Sequence, residues 1–462
     1  MNIIKAYFGY VLLIGGLSLN SGCSALPNVS TIMNEAPATR HSRQIVSANG
    51  LLSPQKSKAI MERLKRSVNP TDILERHIAV MESVTESPLT KGNKVSLLID
   101  GQATYAAMFQ AMQQAKDHIN LETFIIEDDA VGRRFAELLL QKQAEGVQVR
   151  LIYDSIGSLQ TPTDFFHRLL NGGVQVVEFN PINPMKTHGH WLLKNPDHRK
   201  MLIVDGKVAI AGGINISSVY SSSLSGRRAE GSHLPWRDTD IHIEGPAVAE
   251  FQKLFLTTWQ KQNGPDAPGR NYFPELQETG TALVRIVGST PGQDNRITFV
   301  VYVSAFTFAE HSIHLTNAYF IPDDQILNAL TDAAKRGVDV KILLPSTTDS
   351  STALNAARYH YSALLQAGVN IYERRNAILH AKTAVIDGVW STVGSTNLDY
   401  WSLLSDDEVN AVILSREFAV AMEKMFADDL VESEQIVRDT WERRPVWQKI
   451  KESFAHAFSH WL

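Results

Sequence analysis

The chain has 462 residues, which is long enough for two ordinary domains that each bury a hydrophobic core. Hydrophobic residues make up 44% and charged residues 20% of the sequence, which excludes an intrinsically disordered protein. The formal net charge of −5 lacks the basic surplus that nucleic-acid-binding proteins often show, so we expect no nucleic acid partner.

The first 23 residues have the pattern of a lipoprotein-type signal peptide. Lys5 precedes an apolar run over residues 6–19, which is short for a membrane span and suits the hydrophobic region of a signal peptide. The only cysteine, Cys23, follows small residues, as at a bacterial lipoprotein cleavage site, and it cannot form an internal disulfide. We predict that Cys23 is lipidated, with ordinary cleavage and an uncleaved anchor as the alternatives.

A lipidated Cys23 would attach the protein to a membrane of the bacterial cell envelope, on the periplasmic side. Ser24 differs from the acidic residue that retains lipoproteins in the inner membrane, which leaves the outer membrane open as the destination. No later segment of the sequence reaches transmembrane length.

The segment 24–91 is predicted to form a tether followed by N-terminal helices. Residues 24–50 are rich in Ser, Asn, Ala and Thr without hydrophobic periodicity, which is typical of a tether. The helical spacing of apolar residues then predicts helices at 53–66 and 72–84, with Ser53 and Thr71 as N-caps.

Two similar halves follow, at 92–262 and 280–440, joined by a stretch rich in Gly, Pro and Asn at 263–279. Strands and helices alternate in the same order in both halves, which predicts α/β layers. The first half is predicted to contain strands at 95–100, 119–126, 147–153 and 173–177, and a helix at 133–144. The second half is predicted to contain matching strands at 282–287, 313–321, 338–344 and 368–372, and a helix at 325–336.

The last segment, 441–462, is predicted to be an amphipathic helix. Its apolar residues recur at intervals of three and four: Trp447, Ile450, Phe454, Phe458 and Trp461. We expect this apolar face to pack onto the core, and insertion into a bilayer interface is the alternative.

A histidine–lysine pattern occurs once in each half, with the same spacing H-x-K-x4-D-x6-G-[GS]-x-N. The first copy contains His198, Lys200, Asp205 and Asn215. The second copy contains His380, Lys382, Asp387 and Asn397. Two copies with identical internal spacing predict that the two halves assemble one site.

These residue types fit displacement at a phosphodiester. The reaction needs a nucleophile, an acid for the leaving alkoxide and cations on the non-bridging oxygens. Two imidazoles can supply the nucleophile and the acid. Two lysines can neutralise the phosphate as point charges, and two asparagines can donate hydrogen bonds to its oxygens. The chemistry therefore requires no metal and no other cofactor.

The doubled motif resembles that of the phospholipase D superfamily, and nearby segments are similar to those of bacterial cardiolipin synthases. The similar segments are 92–101, 121–125, 236–239 and 317–323. The resemblance extends from about Gly92 to about Phe426. It implies an α/β fold of two tandem phospholipase D-like α/β/α sandwich domains, packed to form one shared active site.

The resemblance also implies roles for the motif residues. His198 is expected to be the nucleophile and His380 the acid, with the reverse assignment left open. Asp205 and Asp387 belong to the catalytic motif, but an aspartate followed by glycine also forms turns after strands. The sequences after Asp238 and Glu408 align with each other, and we interpret these two carboxylates as groups that orient the histidines.

Some residues depart from the family pattern. Trp401 stands where related proteins often have an arginine, and Asp406 stands where they have an asparagine, which could alter the headgroup accepted. His188 and His190 are two residues apart in an insertion of the first half, but no carboxylate or cysteine lies beside them. We interpret them as loop residues and predict no metal site.

The resemblance implies a membrane-tethered phosphatidyltransferase that makes cardiolipin from phosphatidylglycerol through a phosphohistidine intermediate. Phosphatidylethanolamine is a further candidate substrate, and we expect a monomer. The main alternative is a phospholipase D that transfers the phosphatidyl group to water and releases phosphatidic acid. A nuclease of the same superfamily is disfavoured by the mildly acidic composition and the expected lipid anchor. Two intact motifs disfavour a non-catalytic scaffold.

Overall fold

The computed structural model describes residues 26–36, 44–181, 195–221, 234–266, 269–291 and 296–459. The predicted signal peptide with Cys23, the pair His188 and His190, and Trp461 lie outside these residues. Among the described residues, no helix combines the length and the apolar character needed to cross a bilayer.

The segment before the first half packs onto the protein and is not a tether over its described residues. It contains α1 Val29–Glu35, β1 Ile45–Ser47, β2 Gly50–Leu51, α2 Pro54–Arg66, a 3₁₀ turn Asp72–Leu74 and α3 Arg76–Val84. Ser53 and Thr71 accept backbone N–H groups of the turns they precede, as predicted. Val29 and Ile45 are fully buried in the core of the second half, which corrects the interpretation of residues 24–50 as a tether. The sequence did not predict this packing, because only a few apolar residues of these short elements are buried.

The first half consists of the following elements, in chain order: β3 Leu89–Ile99, α4 Asp100–Gln114, β4 His118–Thr123, α5 Ala130–Ala144, β5 Gln148–Asp154, α6 Thr163–Asn171, β6 Gln175–Phe179, β7 Met201–Val204, β8 Val208–Gly212, β9 Trp236–Arg237, β10 Thr239–Glu244 and α7 Val248–Lys261. The second half consists of β11 Ala282–Ser289, α8 Ile297–Thr307, β12 Ser312–Thr316, α9 Asp324–Lys335, β13 Asp339–Pro345, α10 Ser351–Tyr359, α11 Tyr361–Ala367, β14 Asn370–Arg374, β15 Ile378–Leu379, β16 Thr383–Ile386, β17 Trp390–Gly394, α12 Tyr400–Leu404, β18 Glu408–Leu414, α13 Arg416–Val431 and β19 Ser433–Gln435. The chain ends with α14 Arg438–Glu442 and α15 Val446–Ala457.

The two halves have the same sheet topology. The strand order is β6-β5-β4-β7-β8-β10-β3 in the first half and β14-β13-β12-β16-β17-β18-β11 in the second. In each order the first two pairings are parallel and the remaining ones are antiparallel. The predicted duplication is therefore confirmed for the seven strands that follow the same order in each half.

Strand β3 belongs to both sheets and joins them. Its last residues pair with β10 of the first half, from Lys94 to Ile99. Its earlier residues, Thr90 and Asn93, pair with β11 of the second half. The two sheets are consequently continuous through the backbone.

A common core fills the space between the two sheets. Strand β7 illustrates how the sequence builds it: Met201 and Ile203 point into the common core, whereas Leu202 and Val204 point to the outer core of the first half. Helices α7 and α13 supply Phe251, Phe255, Phe418 and Met422 to the same common core. Helices α4 to α6 cover the outer face of the first sheet, and helices α8, α9 and α11 cover that of the second. The predicted α/β class with two packed phospholipase D-like sandwich domains is confirmed.

The C-terminal segment is helical, as predicted, but its apolar face does not pack onto the core. The residues of α15 that are buried are Glu452 and Ala455, while Trp447, Ile450 and Phe454 are exposed. The expectation of core packing is wrong for this face. The spacing of apolar residues identifies one face of a helix but not the neighbour of that face.

Candidate active site

The two histidine–lysine pairs lie immediately before equivalent strands. His198 and Lys200 precede β7, and His380 and Lys382 precede β16. Residues two apart on extended backbone share a face, so each lysine lies on the same side as its histidine. Both histidines are almost completely buried, with 8% and 7% of their surface exposed.

Backbone hydrogen bonds between the halves hold each histidine. The N–H of His198 donates to the carbonyl of Asp407 at 2.9 Å, and the N–H of His380 donates to the carbonyl of Arg237 at 2.8 Å. Strand β9 of the first half also pairs in parallel with β15 of the second, which leads directly into His380. The segment that contains each histidine is therefore hydrogen-bonded to the backbone of the other half.

Each histidine also contacts a carboxylate from the opposite half. Nδ1 of His198 lies 3.0 Å from Oε1 of Glu408, and Nδ1 of His380 lies 2.7 Å from Oδ2 of Asp238. A carboxylate at Nδ1 fixes the ring and its tautomer, so Nε2 remains as the nitrogen that can react. The sequence indicated both carboxylates, but it did not indicate that each serves the histidine of the other half.

Burial and the neighbouring charges set the protonation of these groups. Burial, followed by the charge of Lys200, lowers the pKa of His198 to about 4, although Glu408 opposes this shift. Burial and Lys382 likewise lower the pKa of His380. Burial alone would raise the pKa of Glu408, but His198 and Lys200 outweigh it and the pKa falls. These shifts favour charged carboxylates and neutral imidazoles, and a nitrogen nucleophile must be neutral.

The two lysines are buried and close to their histidines. Nζ of Lys200 donates to the carbonyl of His198, and Nζ of Lys382 donates to the carbonyl of His380. Burial lowers the pKa of Lys200 to about 7 and that of Lys382 to about 8. An anion bound between them would favour their charged forms, so the arrangement suits a phosphate group.

Aromatic side chains surround the imidazoles. Phe124 lies edge-on to His198, with ring centroids 5.0 Å apart, and its face lies 5.0 Å from Nζ of Lys200. Trp236, Tyr220 and Tyr319 approach His380 with centroid distances of 5.1, 5.9 and 6.3 Å. The sequence did not single out these aromatic residues. Phe124, Trp236 and Tyr319 occur in the segments similar to cardiolipin synthases, which was the available indication.

The Gly-[Gly/Ser] position of the motif lies against the orienting carboxylates. A Cβ on Gly213 would stand 2.3 Å from Oδ1 of Asp238, so only glycine permits this close approach. In the second half Ser395 occupies the equivalent position, and its hydroxyl donates to Glu408. The motif therefore specifies the packing of the carboxylates as well as the histidines.

The two asparagines of the motif differ in their surroundings. The side-chain amide of Asn215 donates to the hydroxyl of Tyr220 at 3.0 Å, and its oxygen accepts the N–H of Ile125. Asn397 is buried, and its side-chain oxygen has no hydrogen-bond partner among the described residues. The side chain of Asn215 is thus held by hydrogen bonds within the protein. The side-chain oxygen of Asn397 can still accept a hydrogen bond.

Asp205 and Asp387 do not lie with the histidines. Each is followed by glycine in a tight turn, with φ of 52° at both aspartates and 62° at both glycines. The carboxylate of Asp205 accepts the backbone N–H groups of residues 116–118, and that of Asp387 accepts those of residues 310–312. These contacts correct the assignment of both aspartates to the catalytic set and favour the structural alternative, because they tie each hairpin to the strand beside it.

A further buried carboxylate, Asp406, faces the site. Burial, then the charges of Glu408, Asp399 and Asp154, raise its pKa well above the usual value. Its Oδ1 has no hydrogen-bond partner among the described residues. Ligand atoms of His198, Asp406 and Glu408 lie within 4.8 Å of one another, which is the one group in the described part of the chain with metal-ligand geometry. The prediction of a metal-free site accordingly remains to be tested.

Two buried arginines fasten the halves together beside the site. Arg199 donates to Asp407 at 2.8 Å and to the carbonyls of Glu408 and Ser289. Arg237 donates through Nε and Nη2 to both oxygens of Asp429. Arg199 lies next to His198, and Arg237 accepts the N–H of His380 through its carbonyl. Both arginines therefore stabilise the contacts between the halves beside the histidines. Their positions in the sequence gave no indication of this role.

Comparisons with known proteins agree with this architecture. A family described as cardiolipin synthase, PLD-like domain, matches residues 108–224 and 302–430. A cardiolipin synthase of Alkalihalophilus pseudofirmus is 32% identical over 401 residues, covering 86% of this chain and 77% of that protein. A cardiolipin synthase of Listeria monocytogenes is 33% identical over 375 residues, covering 80% of this chain and 76% of that protein.

A solved structure also has a similar fold. The crystal structure of phosphatidylserine synthase from Haemophilus influenzae superposes with a TM-score of 0.61, covering 83% of this chain and 97% of that one. The sequence identity of 12% limits this likeness to the fold.

Proposed function

The chain belongs to the cardiolipin synthase family with phospholipase D-like domains, and we propose that it is a phosphatidyltransferase that makes cardiolipin from phosphatidylglycerol. The observation that supports this most strongly is the match over both halves to cardiolipin synthases, combined with two buried histidine–lysine pairs held by crossed carboxylates. Phospholipids are the substrates, and the reaction is transfer of a phosphatidyl group.

The first step forms a phosphohistidine. Nε2 of His198 bonds to the phosphorus of phosphatidylglycerol while the bond from phosphorus to the glycerol oxygen breaks. His380 donates the proton on its Nε2 to that oxygen, and glycerol leaves. Lys200 and Lys382 neutralise the non-bridging oxygens as negative charge develops on them.

The second step transfers the phosphatidyl group to a lipid alcohol. A glycerol hydroxyl of a second phosphatidylglycerol gives its proton to His380, and its oxygen bonds to the phosphorus. The bond from phosphorus to His198 breaks, and cardiolipin leaves. Because the phosphate anion favours protonated imidazole, substrate binding opposes the effect of burial and Lys382, which lower the pKa of His380.

The competing reaction replaces the lipid alcohol by water. The catalytic groups are the same for both reactions, so the outcome depends on exclusion of water and on binding of the acceptor. The purified full chain with phosphatidylglycerol in mixed micelles should yield cardiolipin and glycerol in equal amounts. Phosphatidic acid as the dominant product at every lipid density would identify a hydrolase instead.

The donor can be determined in the same assay. Phosphatidylglycerol and phosphatidylethanolamine with different acyl chains should be supplied separately and together. Cardiolipin that forms only from the mixture, with release of ethanolamine, would assign phosphatidylethanolamine as the donor and leave the transferase function intact.

Both halves supply different groups to one site, so single substitutions should abolish turnover. His198→Ala and His380→Ala should each lower turnover by roughly 10²–10⁴-fold, because each removes one step of acid–base or nucleophilic catalysis. His167→Ala, on an exposed histidine of α6, is the matched control. More than about half of the wild-type rate in either site variant would contradict a shared site.

Since one chain contains both motifs, a single copy suffices, and light scattering should report a monomer.

We propose that the reaction needs no metal, because two lysines already neutralise the phosphate. Dialysis of the enzyme against a strong chelator should leave the rate unchanged. Loss of activity that one divalent ion restores would show instead that His198, Asp406 and Glu408 bind a cation.

We propose further that Cys23 is lipidated and anchors the protein in the cell envelope, since it follows an apolar segment and small residues. A multiply acylated cysteine holds a protein firmly on a bilayer, whereas one acyl chain holds it weakly. Cys23→Ala should move the protein towards the soluble envelope fraction. Cell fractionation with separated inner and outer membranes would also identify which membrane holds the wild type.

A further inference from the structure

Helix α15 exposes a continuous row of large apolar side chains. Val446, Trp447, Ile450, Phe454 and Phe458, which we call the C-terminal stripe, are 71%, 58%, 63%, 67% and 47% exposed. Their spacing of one, three and four residues places them on one face of the helix. Exposed apolar side chains that are contiguous mark a surface that contacts another partner.

The opposite face of α15 is fixed to the protein, so the exposure of the stripe is a property of the fold. Glu452 is buried and pairs with Arg444 at 2.6 Å. The ring of His456 stacks on Tyr359 of α10, with centroids 3.9 Å apart. A polar residue is thus buried at a cost while aromatic residues face outward, which is the reverse of a soluble surface helix.

The charges around the stripe are positive. Apart from Glu452, which is buried and paired, the ionised side chains of α15 are Lys449, which is half-buried, and Lys451, which is exposed. Nζ of Lys451 lies 4.6 Å from the ring of Trp447, and Nζ of Lys449 donates to the carbonyl of Glu442. Lysines that flank an apolar helix face suit an anionic lipid surface, where the stems cover apolar atoms and the ammonium groups meet phosphates.

The same helix lies one layer of side chains away from the candidate active site. Ala455 packs in a small cluster with Ile321, Ala353 and Ala356, and Tyr319 packs against this cluster. The ring of Tyr319 in turn faces His380, and its hydroxyl donates to Asp349. The stripe is therefore connected through well-packed residues to the wall of the site.

We propose that the C-terminal stripe inserts into the interfacial region of an anionic phospholipid bilayer and docks the second half of the enzyme at its lipid substrate. This inference rests on the proposed function for the identity of the occupant. A second copy of the chain fits the surface less well, because an isologous contact would bring like-charged lysines of both copies together.

A site-specific probe tests insertion in the full chain. Cys23→Ala removes the only cysteine, and Ile450→Cys then accepts an environment-sensitive fluorophore. Val420→Cys on α13, 61% exposed against 63% for Ile450, is the matched control. In vesicles of phosphatidylglycerol and phosphatidylcholine, spin-labelled lipids should quench the label at 450 at least about twofold more than the label at 420. Equal quenching at both positions would overturn the inference.

An activity measurement tests whether insertion serves catalysis. The triple variant Trp447→Gln, Ile450→Gln and Phe454→Gln should lose about tenfold in rate on vesicles, since it removes the apolar contact with the bilayer. Its rate on short-chain monomeric phospholipid should stay at the wild-type level. The control triple variant Leu170→Gln, Val420→Gln and Val431→Gln removes equally exposed apolar residues elsewhere and should keep both rates.

The outcomes separate this inference from the proposed function. An active enzyme whose label at 450 is not preferentially quenched contradicts the inference and leaves the transferase intact. Preferential quenching without any lipid product, on vesicles or monomers, contradicts the transferase and leaves the lipid surface intact. A dimer that the triple variant converts to a monomer, with no quenching at 450, would assign the stripe to a second copy and overturn the inference.

Discussion

Glu408 lies 3.0 Å from Nδ1 of His198, although 210 residues separate the two in the chain. The same relationship joins Asp238 to His380 in the opposite direction. Each half thus supplies a histidine to the site and a carboxylate to the other half's histidine, so we expect neither half alone to form a working site.

The crossed pairing predicts which substitutions are coupled. Glu408→Gln should lower turnover, because the amide no longer stabilises the charged form of His198 or fixes its tautomer. A double-mutant cycle should show that Glu408→Gln has little further effect in a His198→Gln background and its full effect in an Asp238→Asn background. The rate of each variant on phosphatidylglycerol micelles provides the measurement. Coupling of Glu408 to His380 alone would contradict the crossed geometry.

The pKa values of the lysines predict an alkaline limit to activity. Lys200 and Lys382 have pKa values lowered to about 7 and about 8 by burial, so their charges are present below these values and are lost as the pH rises through them. Since kcat/KM reports the free enzyme, it should fall on the alkaline side of this range. Lys200→Arg should lower the rate but move the start of the fall to higher pH, because Lys200 has the lower pKa of the two and arginine stays charged. A fall that does not move would assign the limit to another group, such as His380.

The sequence predicted the local elements and the two packed halves, but not which side chains contact each other between the halves. The spacing of His198 and Lys200, repeated at His380 and Lys382, is visible along the chain because both residues of a pair lie in one short segment that precedes a strand. The crossing of Glu408 to His198 depends on how two halves pack, and no local pattern contains that information.

The errors have a similar origin. The aspartate of the motif, Asp205, occurs at the right spacing for a catalytic group, yet its carboxylate binds the backbone of residues 116–118. The apolar spacing of α15 identified an amphipathic helix correctly, but only the packing of Glu452 and Ala455 shows which face the protein uses. Val29 and Ile45 were missed because short elements with one buried anchor have no periodicity.

The buried arginine beside His198 predicts a large loss of stability on substitution. Arg199 is fully buried and pairs with Asp407, and Glu122 lies 3.7 Å away. Arg199→Met would leave these carboxylates without their cation, a change that typically costs about 3–5 kcal/mol. Unfolding in urea, followed by far-UV circular dichroism, should show a lower midpoint for this variant. Arg133→Met, on an exposed arginine of α5, should leave the midpoint unchanged. Equal midpoints for both variants would contradict a role of Arg199 in joining the halves.

Asp406 predicts a stability that depends on pH. Burial and the charges of Glu408, Asp399 and Asp154 raise its pKa well above the unfolded value. A raised pKa contributes stability that is fully present below the unfolded pKa and is lost as the pH rises from the unfolded to the folded value. Asp406→Asn removes this titration, so its Tm should match the wild type near about pH 3, where the carboxyl is protonated in both states, and exceed it near about pH 8.

Calorimetry of both proteins at the two pH values measures this difference, with Asp164→Asn on an exposed carboxylate as the control. A lower Tm for Asp406→Asn at alkaline pH would mean that a positive partner stabilises the carboxylate in the wild type. If a chelator then lowers the wild-type Tm to the same value, that partner is a metal ion held with His198 and Glu408. This result would contradict the metal-free mechanism, because the cation would occupy a ring nitrogen of His198. Nδ1 is needed for the contact with Glu408, and Nε2 is needed for the attack on phosphorus.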